Sequence, residues 1–247
     1  MKTANTAMTV PASRDRDDPD VRSSQEAADF EFLRPLSIFD GLGDSALLRL
    51  GRELQTRELH CGDIVFYQGD PGATCYLIQQ GRVRIFLLDE DGHELSVRVL
   101  GPGELIGEMA LFDNQPRSAS AVAMTEIRLL ILHQDMLRHA LREHPDFAVN
   151  LLQTLSKRLR QSNEQAGQLA SMTVEDRVLR QIEKFAEWTG KPTPTGTRIT
   201  MPLNQSDLAS LVGTSRESVN RALRNLRIQG KLRIRDGCIE IADSIES

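Results

Sequence analysis

The chain has 247 residues, room for one large domain or two smaller ones, and its 40% apolar and 26% charged residues describe an ordinary core-forming protein. Aromatic residues make up only 4%, with a single Trp, which argues against a surface built to stack sugars or single-stranded bases. The net charge of −5 speaks against nucleic acid until its distribution is resolved: from Arg198 to Asp236 eight cations meet three anions, a local +5 that leaves −10 elsewhere, and local charge governs phosphate affinity at a docking face.

No apolar run approaches the ~18 residues of a membrane span, and the first 29 residues contain no apolar secretory core. The expected compartment is the cytoplasm, with no membrane partner. The three cysteines, Cys61, Cys75 and Cys238, are scattered and form no C-x-x-C pair, so neither a structural zinc site nor a disulfide framework is expected.

In chain order, residues 1–29 mix small, polar and oppositely charged residues without periodicity and read as a disordered leader. From Ser37 to Glu53 the pattern Leu42, Leu47, Leu48, Leu50 and Leu54 predicts a helix begun near Asp44. From Thr56 to Leu132, β-rich runs alternate with glycine punctuation. Strands are predicted at Ile64–Tyr67, Cys75–Gln79, Arg82–Leu87, Leu95–Leu100, Ser120–Ala123 and Ile127–Ile131, with Asp91-Gly92 as the clearest hairpin tip. This is the grammar of an antiparallel barrel or sandwich.

After Gln134 the pattern turns helical to about Met172, and Pro145 suits the first turn of a new helix. Ala148, Leu152, Leu155, Leu159, Ser162, Ala166 and Leu169 alternate in steps of four and three, a seam sustained over about three heptads and expected to join two copies of the chain. The alternative is a helix packed only on its own barrel. The polar Ser162, with Asn163 beside it, needs a hydrogen-bond partner across the seam or from a bound molecule.

Val174–Trp188 predicts a further helix, residues 190–196 an exposed loop rich in Pro and Gly, and Arg198–Leu203 a short strand. Asn204 can cap a helix ending at Val212, Gly213 can make a sharp turn, and Ser215 can cap a second helix reaching about Ile228. A glycine turn followed by an arginine-bearing helix is a helix-turn-helix, whose second helix enters the major groove of double-stranded DNA. Arg216 and Arg221 can take guanine O6 and N7, Glu217 can accept from cytosine N4, Asn220 lies on the same face, and Arg224, Arg227 and Lys231 suit phosphates. Leu232–Arg235 and Cys238–Ile241, joined at Asp236-Gly237, predict a wing.

Between two of the barrel strands lies Gly107-Glu-Met-Ala-Leu-Phe112, followed by Arg117-Ser-Ala119. Gly107 allows close backbone approach to an anion, Arg117 offers a fork matched to phosphate oxygens, and Ser118 adds a neutral donor. Glu108 would repel a bare phosphate, so beside Arg117 it suits a ribose hydroxyl; one anion anchor with one hydroxyl acceptor specifies a sugar phosphate. The alternative is an internal Glu108–Arg117 ion pair.

This run looks like the phosphate-binding cassette of cyclic-nucleotide-binding domains. With the β-roll before it, the long helix after it and the SRESVNRAL helix-turn-helix, residues ~33–245 resemble the cAMP receptor protein/FNR (CRP/FNR) family of bacterial transcription regulators. The resemblance implies an α+β fold. Residues 30–143 form a cyclic-nucleotide-binding, jelly-roll-like β-roll, 144–172 a coiled-coil dimerisation helix, and 173–247 a winged helix-turn-helix, after the leader at 1–29. It implies a cyclic-nucleotide site of Gly107, Glu108, Met109, Ala110, Arg117, Ser118, Ala119, Ser162 and Asn163, and a DNA-binding set of Ser215, Arg216, Glu217, Asn220, Arg221 and Arg224, reading a palindromic TGTGA-like site.

Members that bind cAMP carry Thr-Ser where this chain has Ser162-Asn163. The intact Arg117-Ser118 favours cAMP, with cGMP, cyclic di-GMP or ligand-independent DNA binding as the alternatives. The segment Glu187–Gly196 corresponds to a region that touches RNA polymerase in activating relatives. No cysteine among the first 60 residues supports an FNR-type iron–sulfur centre, and Cys75 with His93 does not make a haem site beside an intact cassette. An enzyme would need a nucleophile–base pair or metal ligands, and the five histidines (His60, His93, His133, His139 and His144) lack metal-ligand spacing.

Overall fold

A computed structural model describes residues 27–89, 92, 94–200, 204–235 and 238–242. The elements in order are α1 (Asp44–Glu53), β1 (Gln55–Leu59), β2 (Ile64–Phe66), β3 (Thr74–Gln80), β4 (Val83–Leu88), β5 (Glu94–Leu100), β6 (Leu105–Ile106), α2 (Met109–Asp113), β7 (Ser120–Ala123), β8 (Ile127–His133), α3 (Gln134–Glu143), α4 (Pro145–Ser171), α5 (Val174–Thr189), β9 (Gly190–Thr193), β10 (Gly196–Ile199), α6 (Gln205–Val212), α7 (Arg216–Ile228), β11 (Leu232–Arg235) and β12 (Cys238–Ala242).

Two antiparallel sheets, ordered β1-β8-β3-β6 and β2-β7-β4-β5, form the roll. Strand β3 explains how they layer. Tyr76 and Ile78 point into the core between the sheets, with Val65, Val83, Ala121, Ile127 and Leu129. Cys75 and Leu77 point the opposite way, into a second core with Leu130, Leu132, α1, α3 and the start of α4. Alternate residues thus serve opposite faces, and because both faces are covered the strand reads as a near-continuous apolar run. The third sheet, β11-β12-β10-β9, backs the helix-turn-helix, whose own core joins Val178, Ile182 and Phe185 of α5 to Leu208, Val212, Val219, Leu223 and Leu226.

Several expectations change. The chain is already helical over 27–33, and Asp29, placed in the leader by composition, is buried and accepts a hydrogen bond from Gln79. Strand β1 escapes a periodicity reading because its QTREL sequence is an edge strand with only one apolar residue. Residues Gly190–Thr193, expected to be loop, form β9, and Pro192 is tolerated because β9 lies at the edge of its sheet. Asp91, His93, Asp236-Gly237, Leu203 and residues 1–26, for which the sequence also raised expectations, lie outside the described residues.

The residues expected to form a seam on α4 divide between two faces. Leu155 packs against the roll's outer core, in line with Phe147 and Leu151. The face left open carries Val149, Leu152 and Leu159, at 50%, 63% and 64% exposure, with Ser156, Asn163 and Ala166 exposed along the same line. The helix carries two apolar stripes: Leu155 of the expected seam belongs to the inner one, and Leu152, Leu159 and Ala166 to the outer.

Phe147 is 1% exposed and stacks on Phe39 at 5.5 Å. Phe147→Ala is expected to cost about 3–5 kcal/mol of stability in chemical denaturation. Burial pushes the Cys75 thiol up to about 12, so a maleimide at pH 8 is expected to label exposed Cys61 and leave Cys75 unmodified until the protein unfolds, as mass spectrometry of the native and denatured protein would report.

Candidate effector and DNA-binding sites

The short strand β6 pairs with β3, Tyr76 opposite Ile106 and Leu77 opposite Leu105, which sets the next residues, Gly107 and Glu108, beside Thr74. Gly107 has φ +77°, and a side chain there would collide with the Arg117 guanidinium. The Arg117 main chain is clamped by the 69–70 turn, its N–H donating to Asp70 at 2.8 Å and its carbonyl accepting from Gly69 at 2.9 Å. Its side chain donates to the Gly107 carbonyl at 2.5 Å and the Thr74 carbonyl at 2.6 Å, and lies 4.5 Å from the Phe66 ring.

Arg117 is 5% exposed, its Nε is buried without an acceptor, and among the described residues no carboxylate pairs with it. Burial pulls its pKa down, only partly opposed by Tyr76, Cys75, Asp70 and Glu108. A buried cation faced by carbonyl dipoles, a hydroxyl and aromatic rings, with no carboxylate paired to it among the described residues, favours an anion.

The Glu108–Arg117 pair considered from sequence does not form. Glu108, itself buried, takes Arg158 of α4 at 2.8 Å, and Arg158 also donates to the Leu105 carbonyl at 2.5 Å. Sequence reasoning misses Arg158. The available signal is its position one turn before Ser162 and in line with Phe147 and Leu151, where a charge facing the roll requires a partner.

Ala110 is buried and Ala119 half-buried, while Met109 and Ser118 are exposed, with the Ser118 hydroxyl 3.6 Å from the Met109 sulfur. Ser162 and Asn163 are exposed on α4. Ser162 donates to the Arg158 carbonyl one turn back at 3.0 Å and accepts from Arg98 of β5 at 3.3 Å. The structure thus brings Gly107, Glu108, Ala110 and Arg117 together and connects them to Ser162 through Arg158.

The second site forms as local chemistry dictates. The Asn204 side chain caps α6 by accepting from the Asp207 N–H, Gly213 turns the chain at φ +64°, and Ser215 caps α7 by accepting from Ser218. Val219, Ala222, Leu223 and Leu226 are buried, so Arg216, Glu217, Asn220, Arg221, Arg224 and Arg227 share the outward face, together with the cap residue Ser215. Backbone and Ser215 hydrogen bonds hold the Glu217 carboxyl below its ordinary range, so it is an acceptor at neutral pH.

The two sites are physically joined. Ser210 of α6 accepts from the Ser96 N–H at 2.9 Å, donates to the Glu94 carbonyl at 2.8 Å and lies 2.7 Å from the Ser96 hydroxyl. The Ser210 proton is used on Glu94, so Ser96 donates to Ser210 while accepting from Arg84 at 3.0 Å. Arg84 in turn pairs with Glu94 at 2.6 Å, and Arg82 sits 4.3 Å over Trp188 of α5. Among the described residues no group of His, Cys, Asp and Glu could hold a metal ion, and no helix is long and apolar enough to cross a membrane.

Known families match both halves. Residues 56–144 match the cyclic nucleotide-binding domain and residues 169–244 the Crp-like helix-turn-helix domain. A CRP-like cAMP-activated global transcriptional regulator of Mycobacterium tuberculosis is 35% identical over 214 residues, 87% of this chain and 96% of the relative. Among solved structures, the c-di-GMP responsive global regulator CLP of Xanthomonas campestris aligns with TM-score 0.73 and 27% identity over 82% of this chain and 100% of that one. A CRP/FNR-family transcriptional regulator of Thermus thermophilus aligns with TM-score 0.67 and 28% identity, over 76% of this chain and 94% of that one. With an effector-type roll, a helix-turn-helix exposing its arginines, and relatives matched along nearly their whole length, the chain belongs to the CRP/FNR family of DNA-binding transcription regulators that carry a cyclic nucleotide-binding domain.

Proposed function

We propose that the protein is a homodimeric regulator whose DNA affinity is set by a cyclic nucleotide, with cAMP as the effector. The observation that carries the reading is the buried Arg117 guanidinium, which among the described residues has carbonyls and a ring but no carboxylate partner. A cyclic phosphate would supply the missing anion, with Gly107, Met109, Ala110, Ser118 and Ala119 as the surrounding cradle. Glu108 has one oxygen on Arg158 and its other would accept from the ribose hydroxyl, so the ion pair and the sugar share one carboxylate. Ser162 and Asn163 would meet the base. Similarity to the cAMP-activated regulator of M. tuberculosis supports cAMP, and similarity to the c-di-GMP responsive CLP keeps cyclic di-GMP as the second reading.

The working units in this reading are the roll at 30–143, the dimer helix at 144–172 and the winged helix-turn-helix at 173–247. The open stripe Val149, Leu152 and Leu159 supports pairing of two copies along α4. Paired copies would present two α7 helices to a TGTGA-like palindrome, with Arg216, Glu217, Asn220 and Arg221 at base edges and Ser215 and Arg224 at phosphates. The segment 187–196, where Lys191 and Pro192 are exposed, would face RNA polymerase. The effector acts only if it binds the DNA-competent arrangement more tightly than the other.

Titration calorimetry of the full chain with cAMP, cGMP and cyclic di-GMP tests the effector. Arg117→Leu is expected to remove nucleotide binding while circular dichroism and dimer mass stay unchanged; retained affinity would overturn the pocket. Leu159→Glu is expected to yield monomers in sedimentation, and Glu217→Ala to relax base preference at one half-site position at a cost of about 1–3 kcal/mol, measured by binding-site selection.

A further inference from the structure

Arg98 of β5 is a cation that neither motif singles out. Its Nη2 donates to the Arg158 carbonyl at 2.8 Å and, more weakly, to the Ser162 hydroxyl at 3.3 Å. Its Nη1 is buried and lacks an acceptor, and among the described residues no carboxylate pairs with Arg98. The position therefore repeats, at the α4 end of the site, the condition of Arg117: a guanidinium placed against carbonyl oxygen with donors left over.

The proton count at Ser162 sharpens this. Its only hydroxyl proton goes to the Arg158 carbonyl at 3.0 Å, so Ser162 has no proton of its own for a base edge while that bond stands. Beside the Asn163 amide, the donors here that lack an acceptor are the Arg158 Nε and those of Arg98, of which only Arg98 offers a fork. The long bond to Ser162 is the weakest it makes, and releasing it leaves one N–H on Nη2 beside those on Nη1, a two-pronged fork. Such a fork matches two adjacent acceptors. Guanine presents O6 and N7 side by side, whereas adenine presents N7 beside the N6 amino donor, which repels a guanidinium.

We infer that Arg98 is a base-reading residue, and that it gives this site an affinity for a guanine nucleotide at least equal to that for the adenine one. The inference rests on the reading above, in which a cyclic nucleotide lies between Arg117 and Ser162, and deepens it by naming the group that discriminates the base. Adenine is still bound through phosphate and ribose, so response to cAMP is retained. What Arg98 adds is selective for the purine O6.

The test uses the full chain and three nucleotides in calorimetry: cAMP, cGMP and cyclic inosine monophosphate, which keeps O6 and N7 but lacks the guanine 2-amino group. In the unmodified protein cGMP and the inosine analogue are expected to bind at least as tightly as cAMP. In Arg98→Thr both are expected to weaken about tenfold or more relative to cAMP, since a two-pronged contact is lost only by them. Arg98→Lys, which keeps the charge and loses the fork, is expected to show the same relative loss and serves if the threonine variant is unstable.

A relative affinity unchanged in both variants, or an inosine analogue that binds no better than a tenth as well as cAMP to the unmodified protein, would overturn the role of Arg98 while leaving the pocket intact. Failure of all three nucleotides to bind the unmodified protein would overturn the pocket itself, and the base reading with it.

Discussion

The ion pair between Glu108 and Arg158 is the contact on which the arrangement of the roll and the long helix depends. It spans 50 residues of sequence and is buried on both sides, with side-chain exposures of 7% and 16%. Two charges taken out of water hold their place only if each satisfies the other, and removing one partner of such a pair typically costs about 3–5 kcal/mol. The pair fixes α4 against the cassette and engages a carboxylate that also acts on Arg117. With Glu108 held by the helix, the Arg117 guanidinium faces the Gly107 and Thr74 carbonyls.

The same logic extends along β5. Arg98 holds α4 at Arg158 and Ser162, and two residues earlier Ser96 holds α6 at Ser210. One strand of the roll thus touches both the helix expected to sense the effector and the first helix of the DNA-binding motif. Beside the apolar packing of Val99 and Met124 on the helix-turn-helix core, the polar part of the attachment to α6 is local, built around a single hydroxyl with three neighbours. Contacts of this kind are worth roughly 0.5–1.5 kcal/mol each, a scale on which a ligand's differential affinity can tip the balance between two arrangements.

What can be read from the sequence follows the range of the forces involved. The helix-turn-helix is legible to the residue because its caps are local: Asn204, Gly213 and Ser215 act on N–H groups or turns within a few positions. Strands β3 and β8 are legible because both faces are buried and their residues are largely apolar. Strand β1, polar at a sheet edge, and the two-residue β6 leave no periodicity to find. Arg98 and Arg158 stay hidden for another reason: their partners are set by tertiary packing, and nothing near either arginine in the chain announces them. The packing of Leu155 on the roll is hidden because one helix carries two apolar stripes less than a half-turn apart, and spacing alone does not say which of them a residue serves.

Those two stripes restrict how α4 can transmit anything. Phe147, Leu151 and Arg158 anchor one side of the rod to the roll, and Val149, Leu152 and Leu159 line another. Turning this cylinder about its axis would tear out the anchors of its inner stripe. The freedom that remains is at its far end, where the helix stops at Ser171 and Thr173 caps a new one. Lengthening or unwinding at that joint would swing α7 while the rest of the rod stays seated.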